Sequence, residues 1–264
     1  MTEKEIEETD NAGNETKSNL LLPQEKYLEA GCHIGTKFKN GSMKEFIYRR
    51  RRDRLFVMDI SKIDEQLRKA AEKLAEYEPK DIVVTAVRAY ANAASSKMSL
   101  ILGTKVISKR FIPGSFTNTQ IKYFVEPEIL LVCDPKAEAE AIREANIMKV
   151  PVISLADTEN DTKGIDVVIP CNNKGKRSLA LVFYILTREY MMKKGMIKTY
   201  SDFKYKPRDF EDLDAVSEYE QFVQDEETVE TPPEEEKKVE EPEQKPEAPK
   251  EEKIVKKRQT KKRD

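Results

Sequence analysis

Four short apolar runs constrain this chain more than any other feature. They span residues 82–87, 129–133, 152–155 and 167–169. The first, opening Ile82-Val83-Val84-Thr85, is continuous and rich in β-branched residues. A strand with one face in water alternates apolar and polar; one covered on both faces does not. Helical stretches separate these runs. Ser61, with Asp64 three residues on, approximates a capping box, and Ile63, Leu67, Ala70, Ala71 and Leu74 form one stripe at helical spacing. Pro79 stops that pattern. Residues 89–102 are Ala-rich and helical, and Gly103 can end them. Asp134-Pro135 reads as the N-cap and first residue of a helix running to about Met148. A last helix spans about 177–194, with Gly195 behind it; its centre, 179–186, is apolar all round and predicts burial on more than one side. Val106-Ile107 adds a short strand. Parallel strands need crossover helices, so the pattern predicts an α/β domain: a doubly wound, mostly parallel sheet with helices on both faces.

Before this alternation begins, residues 20–30 carry a short helical pattern. Two β-prone segments, 46–48 and 55–60, then flank a charged turn and suggest an N-terminal β-hairpin. The net charge of −2 conceals three segments. Residues 1–19 carry −4, residues 20–200 carry +9 and residues 201–264 carry −7. The organisation predicted is a disordered acidic N-terminal tail (1–19), an α/β domain (20–200) and a charged, mostly disordered C-terminal tail (201–264). From 225 to 253 the chain is mostly Glu, Lys and Pro, too poor in apolar residues to offset its ordering entropy. The final basic cluster, Lys256, Lys257, Arg258, Lys261, Lys262 and Arg263, suits RNA contact, a localisation signal or a solvated end equally. A +9 body attracts polyanions, or is simply well solvated. Three cysteines without zinc-like spacing argue against a disulfide-stapled secreted chain. No apolar run approaches membrane-spanning length, and the polar start is unlike a secretory signal. The expectation is a cytoplasmic protein.

The sequence offers little chemistry for an enzyme. Gly31-Cys32-His33-Ile34-Gly35-Thr36-Lys37 looks like a phosphate loop but has the wrong glycine spacing, and its Lys does not directly follow the second glycine. Residues 172–177 precede a helix and could offer amides to a phosphate. There is no G-x-G-x-x-G. His33, the only histidine, has no nucleophile motif around it. A zinc site from Cys32, His33, Cys133 and Cys171 is conceivable without supporting spacing. The acidic loop of Asp157, Glu159, Asp161 and Asp166 suits a divalent ion or plain solvation. The reading is a non-enzyme with no catalytic, cofactor or metal residues, against the alternative of a nucleotide-binding α/β enzyme.

Positive groups, by contrast, cluster on loops. Arg49, Arg50, Arg51, Arg52 and Arg54 place five guanidinium groups in six positions. Their planar forks match phosphate oxygens. Lys37, Lys39 and Lys44 crowd an early loop. Lys109 and Arg110 follow a strand, and Lys174, Lys176 and Arg177 crowd the start of the last helix. These thirteen residues are the candidates for RNA contact. Phe38, Phe111 and Phe116 lie among them, suited to base stacking or to packing.

Longer strings carry a resemblance. Ala30-Gly31-Cys32-His33-Ile34-Gly35, followed by Phe46-Ile47-Tyr48 and Asp59-Ile60, resembles the opening of the universal ribosomal protein S-two family of the small subunit. Arg110-Phe111-Ile112-Pro113-Gly114-Ser115-Phe116-Thr117-Asn118 is similar to the central loop of its archaeal and eukaryotic branch. Glu126-Pro127-Glu128, Leu131-Val132-Cys133-Asp134-Pro135, Val150-Pro151-Val152-Ile153 and the run from Gly164 to Gly175 follow in order. The match covers about residues 20–197. Bacterial members carry a long helical hairpin after the central loop, where this chain has only residues 119–126. Animal members, also described as laminin receptors, carry acidic Trp-bearing C-terminal repeats, and this chain has no Trp. The resemblance is therefore closest to the archaeal form. It implies a flavodoxin-like fold without catalytic activity or cofactor. It implies a structural place in translation, near the junction of head and body of the small subunit. The partners it implies are small-subunit rRNA and neighbouring ribosomal proteins, with no membrane and no small-molecule substrate. A surface adhesion receptor, by likeness to the animal members, is the weakest alternative.

Overall fold

A computed structural model describes residues 20–230. The expectations for 1–19 and 231–264 fall outside these residues. Five parallel strands form the central sheet: β3 (Ile82–Thr85), β4 (Lys105–Ile107), β5 (Ile129–Val132), β6 (Val152–Ala156) and β7 (Val167–Pro170), in the order β4-β3-β5-β6-β7. Renumbered within the sheet this is 2-1-3-4-5, the flavodoxin-like order. All four residues of β3 and of β5 are buried, as the unbroken apolar runs require.

The helices divide between the two faces. Ile82, Val84, Leu131, Leu155 and Ile169 face the larger core. That core is roofed by α2 (Ile60–Ala75), α3 (Ala89–Leu102) and α5 (Lys176–Lys193). α5 lies between α2 and α3, which explains why its centre is apolar all round. The alternate residues Val83, Leu130, Val132 and Val152 face α4 (Ala139–Met148) and the rings of Phe111 and Phe116. Met43 and Phe46 cover Ala156 and Val168 at the β6–β7 end of that same face.

Three local expectations change. The cap of α2 is Asp59, whose carboxylate accepts the Ser61 amide at 3.0 Å. Asp64 instead turns inward, where it accepts from the Leu21 amide and the Tyr27 hydroxyl, each at 2.8 Å, and pairs with Arg68. It thereby pins the short helix α1 (Gln24–Ala30) to the body. Asp134-Pro135 opens a turn: Asp134 accepts from the Lys136 amide at 3.1 Å, and α4 begins only at Ala139. Asp134 thus caps this turn through Oδ1, while its Oδ2 pairs with Arg88.

The domain boundary expected at residue 200 falls inside packed structure. Two 3-10 turns, Tyr200–Asp202 and Pro207–Phe210, carry the chain back across α5. Phe203 and Phe210 are buried against Tyr184, with ring centroids 5.3 and 6.2 Å away. Helix α6 (Asp214–Glu230) then packs on α3. The Tyr219 hydroxyl accepts from the Val106 amide at 2.9 Å, so it satisfies an outward amide of the edge strand β4. Three aromatics, Phe203, Phe210 and Tyr219, do this work inside an otherwise charged stretch, and composition averaged over the segment hides them.

The central loop is held by one buried carboxylate. Glu144 of α4 accepts from the amides of Gly114 and Phe116, the latter at 3.1 Å. Glu144→Gln would turn one amide donor toward another, so stability should fall by about 2 kcal/mol. Amide exchange should quicken at residues 112–117 before the rest of the chain. A urea midpoint unchanged from that of the native protein would contradict this.

Candidate nucleic-acid interface

The N-terminal hairpin pairs β1 (Ile47–Arg50) with β2 (Phe56–Met58) in antiparallel register. The register slips between Ile47 and Arg49, so Tyr48 is the extra residue of a bulge. Its ring is 69% exposed. The segment after α1 adds a third strand-like edge. The Met58 amide donates to the His33 carbonyl, the Gly35 amide to Phe56, and the Phe56 amide to Thr36. That pairing brings Lys37 and Lys39 to the hairpin. Lys39 and Arg50 both lie over the Phe56 ring, at 5.6 and 5.4 Å, and Arg49 lies over Tyr48 at 5.7 Å.

Arg49, Arg50, Arg51, Arg52 and Arg54 are all exposed. Among the described residues only Arg51 of these forms an ion pair, with Asp53 at 3.4 Å, and both partners are about half in water. Arg54 closes the turn at φ +69, in the left-handed region that suits Gly or Asn better. An Arg there costs about 1 kcal/mol.

The third cluster lies nearby. The Asn172 amide donates to the Cys32 carbonyl at 3.0 Å, so the start of α5 abuts the segment that feeds the hairpin. Lys176 and Arg177 are exposed at that helix start, without an ion pair among the described residues. Positive groups there oppose the helix dipole. Lys174 behaves differently. It is half-buried and bridges Glu159 at 2.6 Å and Asp157 at 3.5 Å. Partial burial works against its ammonium, but Glu159 and Asp157 outweigh that and raise its pKa. Burial also pushes the Asp157 carboxyl up, despite Lys174 and the Thr158 amide. The geometry favours Glu159 as the main partner, at the shorter distance. Lys44 is exposed in the turn Lys44–Phe46 beside the hairpin base. Lys109 and Arg110 are exposed but follow β4, the opposite edge of the sheet from β7. Four strand spacings separate those edges, about 19 Å. Phe38 is 72% exposed, whereas Phe111 and Phe116 are buried against each other at 4.9 Å.

The site that such a fold reserves for ligands lies at the carboxyl ends of β3 and β5. Here the protein's own side chains fill it. Glu138 accepts from the Thr85 hydroxyl at 2.6 Å and from the amides of Val87 and Cys133 at 3.0 and 3.1 Å. Arg88 pairs with Asp134 through Nε at 2.8 Å. Asn160 donates to Asp134, and Asn173 donates to the carbonyls of Cys133 and Leu155. Nothing in the sequence marks this network, since its members are single polar residues scattered over the ends of four strands. Burial lowers the pKa of His33, against a hydrogen bond with the Tyr27 backbone and with Arg51 in the same direction. Cys32, Cys133 and Cys171 are buried free thiols. Burial raises all three, Cys32 to about 11. Among the described residues no three His, Cys, Asp or Glu side chains converge to hold a metal ion. No helix among them is long and apolar enough to cross a membrane.

A flavodoxin-like α/β domain with a basic hairpin and a self-filled ligand crevice is the class these features define. Comparison with known proteins makes it specific. The family described as Ribosomal protein S2 matches residues 27–126 and 120–192, and the chain belongs to that family. It is 44% identical over 192 residues to a "Small ribosomal subunit protein uS2" of Staphylothermus marinus, covering 73% of this chain and 87% of that protein. A protein of the same description from Thermoplasma acidophilum is 41% identical over 73% of this chain and 96% of its own length. One from Methanococcus maripaludis is 43% identical over 71% and 85%. The chain is thus an archaeal-type small-subunit ribosomal protein with a structural role in the ribosome.

Proposed function

We propose that this protein docks on small-subunit rRNA through the hairpin face, near the head–body junction, and touches neighbouring ribosomal proteins there. The observation that carries this reading is a run of five exposed arginines with one weak carboxylate partner among the described residues. Such a run does not stabilise a fold, because the like charges repel and, among the described residues, only Asp53 offsets them. Lys37, Lys39, Lys44, Lys176 and Arg177 extend the same face, and exposed Tyr48 and Phe38 supply rings for unpaired bases. Lys109 and Arg110 form a second, separate contact. Lys174 is withdrawn from the contact set, because its charge is spent on Glu159 and Asp157. The filled crevice at the switch point supports a scaffold role with no catalysis, cofactor or small-molecule substrate. The cytoplasm is where such a role is exercised.

Changing Arg49, Arg50, Arg51 and Arg52 together to Ser should leave the fold intact, because none of these side chains is buried. If three or four of them each neutralise a phosphate, the log–log salt slope of RNA binding should shrink by about 2–3. On a sucrose gradient the variant should leave the small-subunit peak as salt rises, while the native chain stays. Equal incorporation at elevated salt would remove the run from the RNA face.

A further inference from the structure

We propose that the groove between α1 and the basic hairpin seats a single unpaired nucleotide of RNA, with its base against Tyr48 and its phosphates on Arg49 and Arg51. The proposal rests on the hairpin being the RNA face, and it says what that face selects. The groove holds about 620 Å³. Sites that enclose a small ligand hold about 300–1,000 Å³. Tyr48, Arg49 and Arg51 stand on its hairpin side, Gln24 and Leu28 of α1 on the other, and His33 on the segment that joins them. Both sides are fixed to the body. The Tyr27 hydroxyl donates to Asp64 at 2.8 Å and holds α1, and the Met58 amide donates to the His33 carbonyl at 2.8 Å and holds β2. A ligand entering such a cavity has little of the protein left to order.

The walls carry what a nucleotide needs. Arg49 and Arg51 are exposed and offer forks to phosphate oxygens. The one carboxylate among the lining residues, Asp59, already accepts the Ser61 amide at 3.0 Å. The ring comes from the bulge. The register slips at Tyr48, and a bulge re-aims the side chain that it carries. Tyr48 is 69% exposed, and the Arg49 guanidinium lies over it at 5.7 Å. Rings and guanidinium planes are the two surfaces on which unstacked bases settle. The rest of the lining is mixed: the Gln24 amide, the His33 imidazole and the Ser61 hydroxyl stand beside Leu28 and Val57. A base presents polar edges and apolar faces, so a mixed lining fits it. A duplex would leave the groove unused. Its phosphates can reach the arginines, but its bases are stacked in pairs and cannot enter a cavity beside them. An acidic peptide would also meet the arginines, yet it brings no flat surface for the exposed ring.

The test uses the full chain and two RNA stems that differ only in one bulged adenosine. The native chain should bind the bulged stem roughly tenfold more tightly, the effect expected of one stacked base. The bulged stem should shift the NMR signals of the Leu28 methyl groups, and the paired stem should leave them in place. Tyr48→Ala should abolish the preference while keeping the affinity for the paired stem, and Tyr48→Phe should retain it. Equal affinity of the native chain for both stems would overturn the seat, as would a preference that survives Tyr48→Ala. Leu28 signals that respond equally to the paired stem, or to polyglutamate, would place the base outside the groove or give the groove to a peptide, and either result overturns the proposal. Saturation by free AMP would make the groove a small-nucleotide site and would overturn it too. A separate arm reports on the RNA face. If changing Arg49, Arg50, Arg51 and Arg52 to Ser leaves the affinity for the paired stem unaltered, the hairpin is not that face. If the Ser changes weaken the paired stem and the native chain shows no preference for the bulge, only the seat fails.

Discussion

Replacing Gly35 by alanine should lower stability by about 3 kcal/mol and detach the basic hairpin from the sheet. A Cβ built on Gly35 would lie 2.4 Å from Thr158 Cγ2, 2.8 Å from Thr158 Oγ1 and 3.2 Å from Asp157 Oδ1. Thr158 cannot swing aside. It is fully buried, its Oγ1 accepts from the Thr36 amide at 3.0 Å, and it donates to the Phe38 carbonyl at 2.9 Å. Overpacking a closed site costs about 1–3 kcal/mol, and each severed hydrogen bond adds about 1 more. The bonds at risk are those that dock residues 35–40, including Asn40 to the Thr158 carbonyl. The same segment pairs with β2, so the arginine run loses its fixed orientation along with the clasp. Urea denaturation gives the first number and RNA affinity the second. Thr158→Ser removes Cγ2 and should restore part of the loss in the double variant, a coupling that distant residues do not show. An additive double variant would locate the damage elsewhere.

Periodicity carried the fold well where elements are long or buried. The unbroken runs of β3 and β5 could only be strands covered on both faces, and the all-round apolar centre of α5 could only lie between two neighbours. It failed where one polar side chain had two suitors. Asp64 has the spacing of a capping acid, yet Tyr27 and Leu21, some forty residues earlier, claim it. Asp134 looks like an N-cap, yet it caps only a turn ahead of the helix and shares its carboxylate with Arg88. Neither pairing leaves a local trace. The segment after residue 200 misled for another reason. Phe203, Phe210 and Tyr219 are spaced irregularly, so no helical or strand period announces that they are core.

The basic face was legible as composition and only partly as geometry. A run of arginines in a turn must be exposed, and it is. What spacing could not tell is which loops meet. Strand pairing of residues 33–36 with β2 gathers Lys37 and Lys39 to the hairpin, and the Cys32–Asn172 contact brings α5 close. The parallel order of the sheet sends Lys109 and Arg110 to the far edge. Lys174, which reads in sequence like its neighbours Lys176 and Arg177, faces back onto the acidic loop. In that loop Asp157 and Glu159 are the ion-pair partners of Lys174. Both facts depend on β6 and β7 being adjacent.

Stability should fall between about pH 4.5 and pH 7 because of one group, Glu138. Burial pushes its carboxyl from an ordinary 4.5 up to about 7, with the charge of Asp134 in the same direction. The donors from Thr85, Val87 and Cys133 pull it down without cancelling burial. The native state therefore prefers the protonated acid. Below the ordinary value both native and unfolded chains hold that proton, and the contribution is fully present. As pH rises the unfolded chain releases its proton first, so unfolding becomes easier. Above about 7 both states are ionised and the contribution is gone. A rise of this size corresponds to about 3 kcal/mol. Denaturation of the native chain and of Glu138→Gln between pH 4.5 and 8 isolates it, because Gln cannot ionise. Asp157, raised by burial as well, is common to both proteins and drops out of the difference. The native curve should decline by about 3 kcal/mol more than that of the variant. Parallel curves would mean that the three donors accommodate the carboxylate fully. Such a carboxyl is tolerable only where closing the crevice matters more than neutral-pH stability. Thr85, Val87, Asp134 and Asn173 all converge on that crevice, so opening it would unpair the ends of four strands at once.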